Sequence, residues 1–354
     1  MLFFERGFMN MNFTTFTTTS LGMSMHILNV PPDEFIRVSV DDLTMLTTTL
    51  FQRAGVPPDD ADLITKLLID TDLRGVLSHG TRTVSGYIRQ FLQGNLNPKP
   101  QVRVLSDELT TAVVDGDGGL GHPATYRATE LAIAKAKATG LGAATTRNHG
   151  HFGSSGKYAR MALRQDCVGF CVSGNVVGSD PNRSVWGSMG NPPMCFAIPG
   201  GSGPPLILDM GTIFFDRAEH FPALFEAAPA AFFKSIGLAA VSNLLSGVLG
   251  GTMLEGYSAA DRRYPSAVYG AFICAINIAR FVPVDAFKAE VDRIIQGISQ
   301  MQPFPGYDRT DLPGGLEWDR EQLWSKEGIP LGKEHQRGLE DIAVQLAVPV
   351  PWAK

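Results

Sequence analysis

Between residues 101 and 282 short β-rich runs alternate with helical segments, and this alternation limits the fold more than any other feature of the chain. The runs read QVRVL, TTAVVD, LGAATTR, VGFCVS, MCFAIP and PLILDM, with helices expected over 123–139 and 155–166 among them. YGAFICAINIARF is the longest strand candidate. Strands mixed with helices over such a length require an α/β or α+β core. Three amphipathic helices are expected in front of it. Leu43, Leu46, Leu50 and Phe51 share one face behind a candidate N-cap at Ser39 or Asp41. A second helix opens at Pro57, Pro58 and Asp59 and closes at Gly75. In a third, around 83–93, Val84, Tyr87, Ile88, Phe91 and Leu92 recur at helical spacing. Behind the strands, a long helix is expected from about 231 to 250, and an amphipathic one over 284–301.

Composition narrows the partners. The 354 residues carry 35 acids against 30 bases, a net charge of -5, and no run of Lys and Arg tracks phosphates, which argues against nucleic acid. Cys167, Cys171, Cys195 and Cys274 lack zinc-type spacing and are too few for a disulfide framework, so buried free thiols in a reducing compartment are expected. The first 30 or so residues have no basic stretch followed by a continuous apolar core, and no window holds about 18 consecutive apolar residues. Neither a secretory signal nor a membrane span is expected, and residues 1–36 read as an unpacked extension.

The strand TTAVVD runs into Gly116, Gly118 and Gly121, the G-x-G-x-x-G spacing of a dinucleotide-binding turn, with a helix after it. Such a turn needs an acid at the end of the next strand to hold a ribose diol. Here LGAATTR ends in Arg147 and Asn148. The turn also lies over 100 residues into the chain, so a structural glycine turn is the favoured reading.

Two other loops are dense in chemistry. DLRGVLSHGTR brings Arg74, Ser78, His79 and Arg82 together, and TRNHGHFGSSGKYA carries Arg147, His149, His151, Ser154 and Lys157. His149 and His151, two apart, could share one side of an extended segment as a metal pair, but no third ligand is visible and no metal is expected. A histidine beside arginines suits other work. The imidazole exchanges a proton with an oxygen near neutral pH, and a guanidinium grips a carboxylate bidentately. Those are the needs of 2-hydroxy acid oxidation, or 2-oxo acid reduction, by a nicotinamide.

With VDGDGGLGH and LILDMGT, these loops make the sequence resemble the malate/L-lactate dehydrogenase family, which includes ureidoglycolate and sulfolactate dehydrogenases and a cyclic-imine reductase. The likeness runs from about Val38 to Leu331. It implies a mixed α/β, non-Rossmann fold with a helical N-terminal region and a central mixed-sheet lobe. Residues 37–110 with 283–354 would form the mostly helical lobe, and 111–282 the sheet and cofactor-binding lobe. It implies NAD or NADP as cofactor, a small 2-oxo or 2-hydroxy acid as substrate, a homodimer and a cytoplasmic location. By that resemblance His151 is the acid/base, and Arg74, Ser78 and His79 line the substrate and nicotinamide end. Asn175, Asp209, Met210, Gly211, Lys234, Ser235, Pro313 and Gly314 fall at the family's cofactor-binding positions. Three departures stand out: Arg82 comes one position early after Ser-His-Gly, the family's Gly-Thr-Asn-Pro reads Gly190-Asn191-Pro192-Pro193, and IFFDRAEHFPALFEAAPAAF replaces a longer tract. That tract keeps an amphipathic helix carrying Phe221, Leu224 and Phe225. The alternatives are a relative that binds nucleotide or acid without turnover and, behind it, a metal-dependent lyase or hydrolase using His149 and His151.

Overall fold

The computed structural model describes residues 31–175, 182, 188–214, 221–252, 263–303, 305 and 308–352. The expected extension falls mainly on residues outside these, although Phe35 and Ile36 already belong to a strand, β1 (Phe35–Val38). Helix α1 (Val40–Arg53) begins where the Ser39 side chain accepts the Asp42 N–H, with Asp41 and Asp42 favourable at the positive end of its dipole. Helix α2 (Pro58–Leu73) opens on Pro at its first turn and stops before Gly75, which takes φ +78. Helix α3 (Val84–Leu92) follows two short 3-10 turns, Leu77–His79 and Thr81–Thr83. The apolar faces expected from spacing meet: Leu43, Leu50, Phe51, Leu68 and Ile88 are fully or almost fully buried in one core.

The strands follow as β2 (Arg103–Asp107), β3 (Thr111–Asp115), β4 (Leu141–His149), β5 (Cys167–Asn175), β6 (Pro193–Ile198), β7 (Leu206–Gly211) and β8 (Tyr269–Asn277). They form a seven-stranded sheet in the order β2-β3-β4-β8-β5-β6-β7, in which β3 and β4 are parallel and the other neighbours antiparallel. The parallel pair is joined through α4 (Gly121–Thr139), as a parallel connection demands. Ala124, Ala128, Ala132 and Ala136 stripe the buried side of α4, so its backbone can approach Gly142 of β4 closely. This is a sheet core of small residues, unlike the Leu- and Ile-rich helical core.

Three expectations change in detail. The 155–166 helix is a single α turn, α5 (Gly156–Ala159), continued as a 3-10 stretch, Arg160–Gln165, and ended by Asp166 at φ 54. The 231–250 helix is preceded by α6 (Phe221–Ala227) and splits into α7 (Pro229–Asn243) and a π-helical turn, Leu244–Val248. Pro229–Val248 is long and apolar enough by composition to cross a membrane, although it holds no 18 consecutive apolar residues; it packs beside β5 and β8. Third, Cys167 and Cys171, four apart across the junction expected between the 155–166 helix and the strand VGFCVS, both lie on β5. Cys171 faces Cys195 of β6 in register, and both are free thiols, as are Cys167 and the half-buried Cys274.

Helices α8 (Val284–Ser299), α9 (Gly315–Glu327) and α10 (Lys333–Gln345) complete the chain, with β9 (Ile329–Gly332) between the last two. β9 pairs antiparallel with β1, Val38 opposite Ile329, so the last third of the chain closes the helical core that the first third began. Trp324, Leu339 and Ile342 are buried there.

Candidate active site

The glycine turn comes first because it sets the histidines. Its glycine amides are spent inside the protein: Gly116 N–H donates to the Arg147 carbonyl, Gly118 to Asn148, Gly119 to Gly116 and Gly121 to His151. The bare Cα atoms are needed for contact. A Cβ on Gly116 would lie 2.7 Å from the His149 Cβ, and one on Gly121 would lie 2.6 Å from the Phe152 Cβ. None of these glycine amides is left to cradle a pyrophosphate, and the turn instead clasps the loop 147–152.

In that loop the two histidines differ. His149 is fully buried, with Nδ1 against the Gly150 carbonyl at 2.7 Å and Nε2 against the Thr146 hydroxyl at 2.7 Å. Nδ1 must donate to the carbonyl, so Nε2 accepts, and neither nitrogen is left for a metal. Among the described residues no three His, Cys, Asp or Glu side chains converge as a metal site. His151 is only partly enclosed and lines a cleft of about 530 Å³. Its Nδ1 lies 2.7 Å from the Tyr87 hydroxyl and 3.3 Å from the Gly153 N–H. The His79 ring sits 5.6 Å away, and Tyr269 meets it edge-on at 6.0 Å. Burial, then His79, Lys157 and His149, push His151 down to about 3, so the ring is neutral near pH 7.

The other loop meets it from α2. Arg74 caps that helix, is 6% exposed, and pairs with Asp70 one turn back at 2.5 Å. Ser78 Oγ is 2.9 Å from His79 Nδ1, which orients that ring, and burial lowers His79 to about 4. The turn is pinned from below. Asp72 accepts the Thr81 N–H at 2.9 Å and its hydroxyl at 2.6 Å, and that hydroxyl meets His335 of α10 at 2.9 Å. Arg82, one position early in sequence, instead reaches Glu334 on the surface at 2.9 Å.

Arg74, Ser78, His79 and His151 therefore line one cleft, together with Asn175, Asp209, Met210, Gly211, Pro313 and Gly314. Asp209 accepts the Gly156 N–H at 2.9 Å, and burial raises it to about 6. The Pro313 carbonyl accepts the Ile207 N–H at 2.8 Å, and Gly314, at φ +104, starts α9. Lys234 and Ser235 do not line the cleft. Lys234 is exposed, while Ser235 Oγ donates to the Thr212 carbonyl at 2.7 Å and accepts the Phe214 N–H at 3.0 Å. Asn191 also lines the cleft, from the departing Gly-Asn-Pro-Pro, and its Oδ1 accepts the Ile213 N–H at 2.9 Å. In the replaced tract, the Phe225 ring stands 5.4 Å from Phe232.

Sequence reading gave no role to several residues here. Arg160 lines the cleft, held by Glu321 at 2.9 Å, with its Nη1 buried and lacking a hydrogen-bond partner. Lys157 is 2% exposed, its Nζ also without a hydrogen-bond partner, and burial pushes it down to about 7 despite Asp70, Asp72 and Asp209 nearby. Tyr87 was legible only as a core position of α3. Its helical spacing hides the hydroxyl at the ring's far end.

Comparison with known proteins places the sequence in a family. The sequence matches the malate/L-lactate dehydrogenase family over residues 38–221 and 222–340. It is 29% identical over 335 residues to the L-sulfolactate dehydrogenase of Methanocaldococcus jannaschii, covering 86% of this chain and 96% of that one. It is 24% identical over 327 residues to the ureidoglycolate dehydrogenase (NAD(+)) of Escherichia coli K12, covering 84% and 93%. Among solved structures, the malate dehydrogenase of Pyrococcus horikoshii OT3 superposes with a TM-score of 0.79 at 27% identity, covering 91% of this chain and 98% of that one.

Proposed function

This chain belongs to the malate/L-lactate dehydrogenase family, and we propose that it passes a hydride between NAD or NADP and a small 2-oxo or 2-hydroxy acid. The observation that carries the reading is the single cleft on which Arg74, His79 and His151 converge with the ends of β5 and β7 and the Pro313–Gly314 turn. The cleft fits an anionic, elongated guest. At one side stand Arg74 and the unpartnered Arg160 Nη1, and along it Gly211 leaves backbone bare where a Cβ would crowd the Asn191 amide at 2.6 Å. Asn175, Asp209, Met210, Gly211, Pro313 and Gly314 would hold the cofactor, whose nicotinamide supplies or receives the hydride. Ser235 acts indirectly by anchoring the segment after β7, and Lys234 lies outside the proposed contacts.

Arg74 grips the substrate carboxylate. Its ion pair with Asp70 holds the guanidinium in place and costs it little freedom on binding. His151 faces the oxygen at the reacting carbon. In reduction it gives that oxygen a proton as the hydride arrives at carbon; in oxidation the neutral ring takes the proton from the hydroxyl. His79, held by Ser78, lies beside it and shields the site from bulk water.

We assign residues 37–110 and 283–354 to a helical lobe and 111–282 to the sheet lobe, except that β2 (Arg103–Asp107) pairs with β3 and goes with the sheet. The Leu- and Ile-rich core and the Ala-rich core support that division. The protein is proposed to work in the cytoplasm as a homodimer with no nucleic-acid or membrane partner, a reading supported by the net charge of -5 and the free thiols.

Fluorescence titration with NADH and NADPH, with turnover of pyruvate, oxaloacetate and a cyclic imine followed alongside, tests the reading. Binding with turnover is expected, and His151→Ala should lose roughly two to four decades of kcat. Binding without turnover favours the non-catalytic relative. If neither nucleotide binds, the dehydrogenase reading fails.

A further inference from the structure

We propose that Tyr87 is a positioning residue for the acid/base step, the hydroxyl that serves His151 Nδ1 in both of the ring's protonation states. The proposal rests on the reading of His151 as the acid/base.

Two groups address Nδ1. The Gly153 N–H can only donate, and it points at Nδ1 from 3.3 Å. That makes Nδ1 an acceptor in the neutral ring, and the remaining proton sits on Nε2, towards the cleft. The Tyr87 hydroxyl, at 2.7 Å, is the closer partner and joins in by donating. A protonated ring needs the reverse, because Nδ1–H must then find an acceptor. Gly153 offers none. Tyr87 can, because its hydroxyl hydrogen has a second place to go. Thr83, four residues earlier in the chain, is the side-chain neighbour of that hydroxyl, and Thr83 Oγ1 already donates its own hydrogen to the Gly80 carbonyl at 2.7 Å. Its lone pairs are therefore free to accept. When Nδ1 gains a proton, the Tyr87 O–H swings to Thr83 and its oxygen accepts from Nδ1–H.

The proton balance is complete without a charged tyrosine. The imidazolium gives its Nε2 proton to the substrate oxygen, which ends as hydroxyl. The ring ends neutral with Nδ1–H donating to Tyr87, and later exchange with solvent restores the resting tautomer. Tyr87 never ionises, which its burial demands, since burial raises its phenol far above the ordinary value. The ring is also fixed in place: Tyr87 is 7% exposed on α3 and meets His122 edge-on at 5.6 Å. The groups facing His151 are His79 from the 3-10 turn, Lys157 from α5, His149 from β4, His122 from α4 and Tyr269 from β8. Of the hydrogen bonds given to Nδ1, that of Tyr87 alone can reverse.

Long-range proton–nitrogen NMR correlation on the ligand-free protein, with His151→Gln to assign the ring, tests the resting state. The expected spectrum has Nε2 protonated and Nδ1 bare; a ring protonated at Nδ1 overturns the proposal. Because this spectrum needs no turnover, it decides the point even if no 2-oxo acid is reduced and the dehydrogenase reading fails. Kinetics then test the reversal. Tyr87→Phe keeps the packing and should lower kcat roughly 10- to 100-fold, the range for removing the partner that orients a working histidine. KM should hold, and the limb on which reduction falls with pH should move to lower pH, because the charged ring has lost its acceptor. If kcat and the pH profile match those of wild type, Tyr87 is only packing and the proposal is wrong.

Discussion

His151 is neutral in the free protein, and that fact alone shapes the pH dependence of the proposed reaction. Burial and three cationic or potentially cationic neighbours hold it at about 3. Reduction needs the proton, so above about pH 4 each unit of pH removes roughly nine-tenths of the competent free enzyme, and kcat/KM should fall close to tenfold per unit between about pH 5 and 6. One neighbour then softens the slope. Lys157 loses its charge above about 7, which favours the imidazolium. The fall should be visibly shallower above pH 7. Oxidation uses the neutral ring in its Nδ1–H tautomer, with Nε2 bare towards the cleft; its share of the neutral ring does not change with pH, so kcat/KM for oxidation should show no matching dependence on His151. Rate profiles in both directions check this, and a flat reductive profile from pH 5 to 8 would remove His151 as the proton donor.

At the scale of elements, the glycine turn before α4 separates two functions that one motif could have served. A pyrophosphate cradle needs free amides, whereas this turn spends its glycine amides on the carbonyls of 116, 147, 148 and 151. Gly121→Ala therefore makes a specific prediction. The added methyl would sit 2.6 Å from the Phe152 Cβ and 2.7 Å from His149 Nδ1, so the histidine loop must move. Stability should drop by about 1–3 kcal/mol, the usual cost of overpacking, and kcat should fall with it. Nucleotide affinity should hold within the error of a fluorescence titration; loss of binding with the fold intact would return the turn to the cofactor. Sequence spacing alone favoured the structural reading, because a missing acid is visible in a sequence. Other features were not legible. The helix of 155–166 breaks into an α turn and a 3-10 stretch because Gly156 and Arg160 answer to Asp209 and Glu321, which are distant in sequence. The pairing of β1 with β9 joins residues almost 300 positions apart, and no local pattern announces it. The hydroxyl of Tyr87 was hidden for the opposite reason: a sound helical period accounted for the residue too well.

At the scale of the whole molecule, an exposed apolar stripe among the described residues asks for an explanation. Along α7 and its π-helical end, Phe233, Val241, Leu244, Val248 and Leu249 are between 42% and 67% exposed, with only the Phe225 ring given against them, edge-on to Phe233 at 6.1 Å. Monomeric soluble proteins seldom leave such a stripe in water. By composition alone the same helix could lie in a membrane. Against that, Ser235, Ser242, Asn243 and Ser246 on its other side are buried and work inside the protein, Ser235 tying down the segment after β7 and Asn243 donating to the Met189 carbonyl at 2.9 Å. A helix so tied on one side and apolar on the other fits a two-fold contact with a second copy, in which each side chain of the stripe is buried twice for one change of sequence. Leu244, 58% exposed, is the side chain to charge. Sedimentation of the wild type, without detergent, should give a particle of about 76 kDa, twice the 38.2 kDa chain. Leu244→Glu should shift it towards monomer while circular dichroism stays unchanged, because a carboxylate facing its own symmetry mate is both desolvated and repelled. A wild-type protein that stays monomeric at every concentration would sink the homodimer. A dimer indifferent to Leu244→Glu would move the contact to another face, where the exposed Phe281 and Ile294 at and just before α8 are the next candidates.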